Sequence, residues 1–325
     1  MKIRLQNKIA RSEATLPICI AIAAMLWWLP GRRFFLPEVL GFGLCLLTAY
    51  IIMETNTRQH LFRIRTQLTI CTWIIFSACL SFMHSWGEPI VAAALLSVAH
   101  MLLFRCYQQN RPEAFVFHTF LMLSIGSFAA PTMLLMAIPF FIYLASFLRA
   151  LTWKSFWAGI LGLVTPYWCF AVWCFMTESI DALSLPLFKW QEGKFLINYD
   201  FYSPLWVQLD GRLSFPELFS TAFIILLGIV SSIHFLRTSF DDKIHARMIL
   251  YIYVAQTFLL SVFLILQPSS YETTMALLVV NVCPLIAHYF SLSDSLWTTA
   301  FFLLTLLLTV TMSALNLWMT SFSIS

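Results

Sequence analysis

Charged side chains are scarce in this sequence. Aspartate, glutamate, lysine and arginine make up 10% of the 325 residues, whereas 60% of the residues are hydrophobic; soluble domains are about 25% charged. A soluble domain of this length needs a polar shell around its core, and 19 basic and 15 acidic side chains in short clusters are too few to supply one. The composition therefore excludes a soluble globular protein and indicates a protein whose apolar surface contacts lipid.

Motifs for metals, nucleotides and nucleic acids are also missing. The eight cysteines lie in or at the edges of apolar segments, and no two have Cys-x-x-Cys spacing, which argues against a zinc site and a disulfide framework. No phosphate-binding glycine loop, metalloprotease helix or serine-hydrolase elbow occurs. We therefore expect no metal, no cofactor and no nucleic-acid partner, and free thiols that pack as small apolar side chains.

Long apolar segments, by contrast, recur along the whole chain. A helix needs about 20 apolar residues to cross a bilayer, with a working range of roughly 17 to 25. Eleven segments approach this length, at 14–30, 37–53, 67–84, 90–106, 114–130, 131–148, 155–176, 218–236, 248–266, 272–290 and 296–317. The predicted fold is all-α, a polytopic transmembrane helical bundle of about 11 spans that forms one domain over residues 1–325. The bilayer is then its first partner.

The distribution of lysine and arginine predicts the orientation of the chain. With eleven spans, 14 of the 19 basic residues fall on the side of the N-terminus, and the other five are Arg32, Arg33, Lys189, Lys194 and Arg212. Cytoplasmic loops hold most lysines and arginines of membrane proteins. The N-terminus is therefore predicted to be cytoplasmic and the C-terminus outside.

One long linker, at about 177–216 and on the predicted outer side, combines acidic, basic and aromatic residues. Aromatic faces stack on sugar rings, and an arginine fork binds phosphate, so the linker suits a lipid-linked sugar. Its candidate catalytic residues are Asp200, Asp210 and Arg212, and its candidate binding residues are Trp190, Tyr202 and Trp206. The alternative is an interfacial cap, with the aromatic rings among lipid headgroups and the charges in water.

Polar residues inside the predicted spans give a second set of candidate binding residues. Asn281 precedes a proline in the tenth span, and Thr165 precedes one in the seventh; such interrupted helices form midplane sites in transporters, although a simple kink is the alternative. His100 and His118 lie at similar depths on neighbouring antiparallel spans and could face each other, as a functional pair or as a packing hydrogen bond.

Two shorter patterns predict local structure. The basic segment at 55–67 alternates apolar residues with arginines and suits an amphipathic piece on the inner leaflet. Small residues four apart, Ala158 and Gly162, predict a close approach of the seventh span to a neighbouring helix.

Two stretches carry a family resemblance. They are "FHTFLMLSIGSFAAPTMLL" at 117–135 and "FLRALTWKSFWAGILGLVTPYW" at 147–168. Here the chain resembles uncharacterised multi-pass inner-membrane proteins of Gram-negative bacteria, in which a hairpin with a proline-containing turn leads through a basic linker into a Gly-Pro-Tyr helix. The resemblance covers about a fifth of the chain. It implies a location in the bacterial cytoplasmic (inner) membrane and implies no reaction.

Three functions fit these observations. The favoured hypothesis is the handling of a lipid-linked or cell-envelope glycan intermediate, with the 177–216 linker as the binding element. The alternatives are a transporter or lipid flippase that uses the proline-interrupted spans, and a non-catalytic component of an envelope assembly that binds other membrane proteins. Whether the protein is an enzyme stays open at this point.

Overall fold

The structure, a computed structural model, describes residues 5–28, 36–64, 66–177, 188–191, 194–197 and 214–322. These residues form a predominantly helical bundle. Its helices are α1 (Leu5–Arg11), α2 (Thr15–Trp28), α3 (Leu36–Gln59), α4 (Leu68–Cys79), α5 (Glu88–Phe104), α6 (Glu113–Ala129), α7 (Thr132–Leu135), α8 (Ala137–Ser146), α9 (Trp153–Met176), α10 (Phe215–Thr238), α11 (Ile244–Leu266), α12 (Tyr271–Leu292) and α13 (Leu296–Phe322). The helical prediction is confirmed for this part of the chain.

A small hairpin departs from the all-α prediction. Strands β1 (Phe188–Gln191) and β2 (Lys194–Ile197) pair antiparallel within the 177–216 linker. The register places Trp190 opposite Phe195. Aromatic residues have a high propensity for β-strands, and a turn of two residues is long enough to connect an antiparallel pair.

Every predicted span coincides with a helical segment, but the helices differ in length. Within the described part of the chain, six are long and apolar enough to cross a membrane: α3, α9, α10 with its following turn, α11, α12 and α13. The shorter apolar segments are Thr15–Trp28, Leu68–Cys79, Glu88–Phe104, Glu113–Ala129 and Thr132–Ser146. For example, α4 ends at Cys79 because Leu80 is extended and Ser81–Met83 form a 3₁₀ turn. Apolar composition thus continues beyond the ends of several helices.

Prolines and caps set several helix ends. The sixth predicted span is split into α7 and α8, because Pro139 lacks an N–H and its ring is directed at the carbonyl of Leu135, where α7 ends. Helix α10 begins after Ser214, whose backbone N–H donates to the Glu217 carboxylate at 2.6 Å in a capping box.

Helix α12 is the centre of the bundle. Tyr271 and all its residues from Thr273 to Ser291 are buried, and it packs mainly against α4, α5, α10 and α11. By contrast, α9 packs mainly against α6 and buries only Ser155, Gly159, Gly162 and Cys174. A helix that is apolar on all sides belongs in a core, so polar residues on α12 are exceptional.

The two ends of the bundle differ in charge. One end, here called the Asp242 end, includes Gln6, whose Nε2 donates to the Ser293 carbonyl at 3.2 Å. The opposite end, the Glu217 end, includes Tyr271, whose hydroxyl donates to the Glu217 carbonyl at 3.4 Å. The lysines and arginines with described side chains lie at the Asp242 end: Lys8, Arg58, Arg63, Arg105, Arg111, Arg149, Lys154, Arg237, Lys243 and Arg247.

Candidate functional site

A buried aspartate–histidine pair lies at the Asp242 end. Asp242 follows the 3₁₀ turn after α10, and His288 lies in the last turns of α12. Asp242 Oδ2 is 2.9 Å from His288 Nε2, and the two side chains are 2% and 1% exposed. Arg63, in the segment after α3, donates from Nε to Asp242 Oδ1 at 2.8 Å, and its side chain is 42% exposed. We call Arg63, Asp242 and His288 the Asp242 cluster.

The partners of Asp242 decide its charge. Burial alone raises the pKa of the Asp242 carboxyl, but the hydrogen bond and positive charge of His288, together with those of Arg63, outweigh burial and lower the pKa below its usual value. The carboxylate is therefore ionised near neutral pH and accepts a hydrogen bond from the N–H at His288 Nε2. In neutral His288, Nδ1 is then a bare acceptor, and it is buried without a hydrogen-bond partner among the described residues.

We expect the Asp242 cluster to make stability depend on pH in the acid range. Because the pKa is lower in the folded protein than in the unfolded chain, where it is about 3.9, the cluster's contribution is complete above about pH 4 and is lost as the pH falls through the folded-state value. Unfolding in detergent micelles, followed by tryptophan fluorescence, should show wild type losing this contribution in acid. The variant Asp242→Asn should lack that loss. If the stabilities of wild type and Asp242→Asn fall in parallel as the pH is lowered, the lowered pKa of Asp242 is contradicted.

A second histidine lies beside the Asp242 cluster. The rings of His234, on α10, and His288 have centroids 6.2 Å apart. His234 Nε2 is 3.0 Å from Ser293 Oγ, and the Ser293 carbonyl accepts from Gln6 of α1. Phe235 presents its edge to His288 at a centroid distance of 5.3 Å. The cluster thus joins α1, α10, α12 and the segment after α3.

A polar pocket opens next to the cluster. It has a volume of about 470 Å³ and is lined by Asn56, Thr57, His60, Phe62, Ile64 and Thr66; we call it the 56–66 pocket. The ring centroid of Phe62 lies 6.4 Å from that of His288. Both polar side-chain atoms of Asn56 are buried without a hydrogen-bond partner among the described residues. Phe62 therefore lies where the pocket meets the buried pair.

The 55–67 segment is partly helical and partly packed on the bundle. Residues up to Gln59 continue α3, and the chain then turns through His60, with φ 48°. Leu61 is 1% exposed, and Arg63 bonds to Asp242. One apolar residue of the amphipathic pattern thus packs on protein, and the position of the segment on the inner leaflet stays a prediction.

Three polar residues follow one face of α12. Thr274, Asn281 and His288 are seven residues apart, so they repeat every two helical turns, about 10.5 Å. Each is fully buried. Asn281 Nδ2 donates to the Leu277 carbonyl at 2.8 Å, whereas its Oδ1 has no partner among the described residues. We call these three residues the polar face of α12; it runs from near the Glu217 end to the Asp242 end.

Thr165 does not lie with Asn281. Its hydroxyl donates to the Leu161 carbonyl of its own helix at 2.6 Å. The nearby Trp168 is 68% exposed, so this part of α9 is on the outside of the bundle. Among the described residues, no contact joins Thr165 to Asn281, and a role of either residue in a midplane site stays a prediction.

His100 and His118 do not face each other. His100 is buried, its Nε2 lies 2.8 Å from Gln256 Oε1, and its ring packs among Phe104, Phe140 and Tyr253. His118 is exposed on the outer face of α6. Depth along a helix can be counted from the sequence, but the direction around the helix axis cannot.

The candidates in the long linker lie almost entirely outside the described residues. Asp200, Tyr202, Trp206, Asp210 and Arg212 are in this group, and their roles stay predictions. Trp190 lies in β1.

An apolar cavity of about 120 Å³ lies between α2, α4, α10, α12 and α13. Its wall includes Cys19, Cys71, Leu227, Ile286 and Phe302. Ile286 also places the cavity beside α12.

Within the described ranges, no group of three or more histidine, cysteine, aspartate or glutamate side chains is arranged to hold a metal ion. Comparison of the chain with protein-family models, with curated proteins and with solved structures finds no match in any of the three.

The sequence reasoning did not identify the Asp242 cluster, because its members are far apart in the chain. Two signals were present. His288 is a histidine near the end of an apolar span, and "SFDDK" places two carboxylates directly after another span. Both carry more weight when the histidine is buried, since ionisable residues within membrane proteins mostly have a functional or paired role.

Proposed function

We propose that this protein is a carrier, in a bacterial inner membrane, for an amphiphilic intermediate of the cell envelope such as a lipid-linked glycan. The observation that supports this most is the polar face of α12. A buried amide oxygen without a partner costs about 1–3 kcal/mol, and Asn281 Oδ1 is such an atom in the middle of the central helix. A bound polar group that donates a hydrogen bond to this oxygen removes that cost and accounts for an asparagine at this position.

The apolar cavity supports the amphiphilic character of the cargo. Its wall is made almost entirely of apolar side chains, and it lies against α12. A hydrocarbon chain in the cavity places an attached polar group next to the central helix. Binding sites of this kind combine an apolar wall with a few polar groups that fix orientation.

The charge difference between the ends supports the orientation. The basic residues with described side chains lie at the Asp242 end, and Glu38, Glu88, Glu217 and Glu272 lie at the other. We propose an eleven-span arrangement with the Asp242 end and the N-terminus in the cytoplasm and the C-terminus outside.

A second candidate function is enzymatic and uses the outer linker. The register of the hairpin pairs two aromatic residues, Trp190 and Phe195, and aromatic residues are the type that binds sugar rings. In this alternative the polar part of the lipid is bound outside by Arg212 and the nearby acids, and α12 has only a structural role.

Lipid crossing in vesicles tests the carrier proposal. Wild-type protein is reconstituted with a short-chain polyprenyl phosphate that carries a nitrobenzoxadiazole (NBD) group, and dithionite is added to bleach the outer leaflet. We expect bleaching to continue as the inner-leaflet probe crosses. In Asn281→Leu the crossing rate should be about a tenth of the wild-type rate or lower, because one hydrogen bond of about 1.4 kcal/mol is lost.

Two variants make the result specific. Thr165→Val removes a hydroxyl bonded only within α9 and should leave the rate unchanged. Arg212→Ala should also leave it unchanged if α12 guides the probe. Crossing no faster than in protein-free vesicles, or equal rates in wild type and Asn281→Leu, contradicts the carrier. A loss confined to Arg212→Ala would mean that the outer linker, and not α12, guides the probe.

A further inference from the structure

We propose that the Asp242–His288 pair is a proton-binding site, supplied from the solvent at the Asp242 end through the 56–66 pocket, with Phe62 as the movable barrier. The site deepens the proposed function, on which it rests, by making the carrier proton-linked. Its chemical basis is the free Nδ1 of His288, a fully buried acceptor with no hydrogen-bond partner among the described residues.

The carboxylate makes His288 suited to accept a proton. Asp242 Oδ2 lies 2.9 Å from Nε2, so it holds the ring in one orientation and stabilises the imidazolium that forms when Nδ1 takes up a proton. A carboxylate paired with one ring nitrogen leaves the other nitrogen as the base. No covalent bond to carbon is made or broken, and only an N–H bond forms.

The charged groups around His288 can accommodate the positive charge that protonation of Nδ1 adds. Arg63, from the segment after α3, and Asp242 neutralise each other, and exposed Asp241, from the turn after α10, lies 3.9 Å from Arg63. His234 faces the pair from α10, and it is held by Ser293. From the α12–α13 connection, Asp294 accepts a hydrogen bond from Asn7 of α1. Protonation of His288 thus adds one positive charge to a region in which Arg63 is paired with Asp242 and two further carboxylates, those of Asp241 and Asp294, lie nearby.

The 56–66 pocket provides the route. It opens at the Asp242 end, and Phe62 both lines it and packs near the His288 ring. Leu61 is buried and fixes the segment, while His60 takes up the left-handed backbone conformation that reverses the chain after α3. A non-glycine residue in that conformation is uncommon and is retained where the surrounding structure holds it.

Proton uptake is coupled to movement by a hydrogen-bond requirement. Once protonated, Nδ1 is a donor and needs an acceptor, which the closed cluster does not offer among the described residues. Displacement of Phe62 admits water from the pocket, and this water is the acceptor for the protonated Nδ1. Because His288 belongs to the polar face of α12, the same event changes the end of the helix that carries Asn281.

Nuclear magnetic resonance of the full chain in lipid nanodiscs, with ¹⁵N-labelled histidine, tests the site without any cargo. The His288 signal is assigned from its loss in His288→Asn. We expect that signal to change from that of a neutral imidazole to that of an imidazolium as the pH is lowered. Phe62→Ala should speed hydrogen exchange at the His288 ring about tenfold or more, since the barrier is removed.

Two controls keep the result interpretable. Ile64→Ala changes the wall of the same pocket but keeps the Phe62 ring beside His288, and it should leave the exchange rate unchanged. His100, bonded to Gln256 instead of a carboxylate, should be insensitive to Phe62→Ala. A His288 signal in one protonation state throughout, or exchange unaffected by Phe62→Ala, overturns the proposal. A titrating, Phe62-gated His288 in a protein that moves no NBD probe retains the proton site and rejects the carrier.

Discussion

Replacing Asp242 with alanine is expected to lower the free energy of unfolding by about 3 kcal/mol. The substitution removes the acceptor of the buried His288 ring and the charge partner of Arg63, and a polar group left buried without its partner is costly. The pair carries most of the effect, because Asp242 and His288 are 2% and 1% exposed. Arg63 adds less, since its side chain is 42% exposed and screened by water. Unfolding by sodium dodecyl sulfate in mixed micelles measures the loss.

Asp241→Ala is the matched control for this prediction. The neighbouring carboxylate is 75% exposed and lies 3.9 Å from Arg63, so its removal should change stability by less than about 0.5 kcal/mol. Asp242→Asn should fall between the two, since the amide oxygen still accepts a hydrogen bond but carries no charge. A loss below about 1 kcal/mol in Asp242→Ala would mean that the pair is hydrated in the folded protein.

The helical fold could be predicted because it depends on local composition. Each of the eleven apolar segments contains a helix, and their boundaries mostly agree within a few residues. The lengths were less predictable. Leu80 extends the apolar run beyond α4 without continuing the helix, and Pro139 divides the sixth segment. Apolar residues partition into the membrane whether or not their backbone is helical at that point, so hydropathy overestimates helix length.

The functional site was harder to predict because it depends on rotation and long-range packing. Asn281 was identified from its position before a proline, and the structure gives it a buried, unpartnered oxygen. Its predicted companion Thr165 lies on the outside of α9 instead. Arg63, Asp242 and His288 come from three separate parts of the chain, and only the packing of α3, α10 and α12 brings them together. A lone aspartate at a span boundary gives no sign of its partner.

Gly162→Ala is expected to destabilise the bundle by about 2 kcal/mol or more. Helices α6 and α9 approach each other so closely at this position that a Cβ would press against the Phe117 carbonyl oxygen and lie 3.1 Å from the Leu121 backbone nitrogen. Both neighbours belong to the backbone, so no side-chain rotation relieves the contact and the helices must separate. This agrees with the close packing that Ala158 and Gly162 predict. The same unfolding measurement in mixed micelles applies.

Other glycines give a graded set of controls. Gly159→Ala meets the rings of Phe141 and Phe120, which can shift, so its cost should be smaller. Gly43→Ala on α3 meets nothing within 4 Å, and alanine favours a helix over glycine by about 1 kcal/mol, so this variant should be neutral or more stable. If Gly162→Ala behaves like Gly43→Ala, α6 and α9 are farther apart in the membrane than described. The expected order, with Gly162 most sensitive and Gly43 least, follows from whether backbone, side chain or open space faces each Cβ.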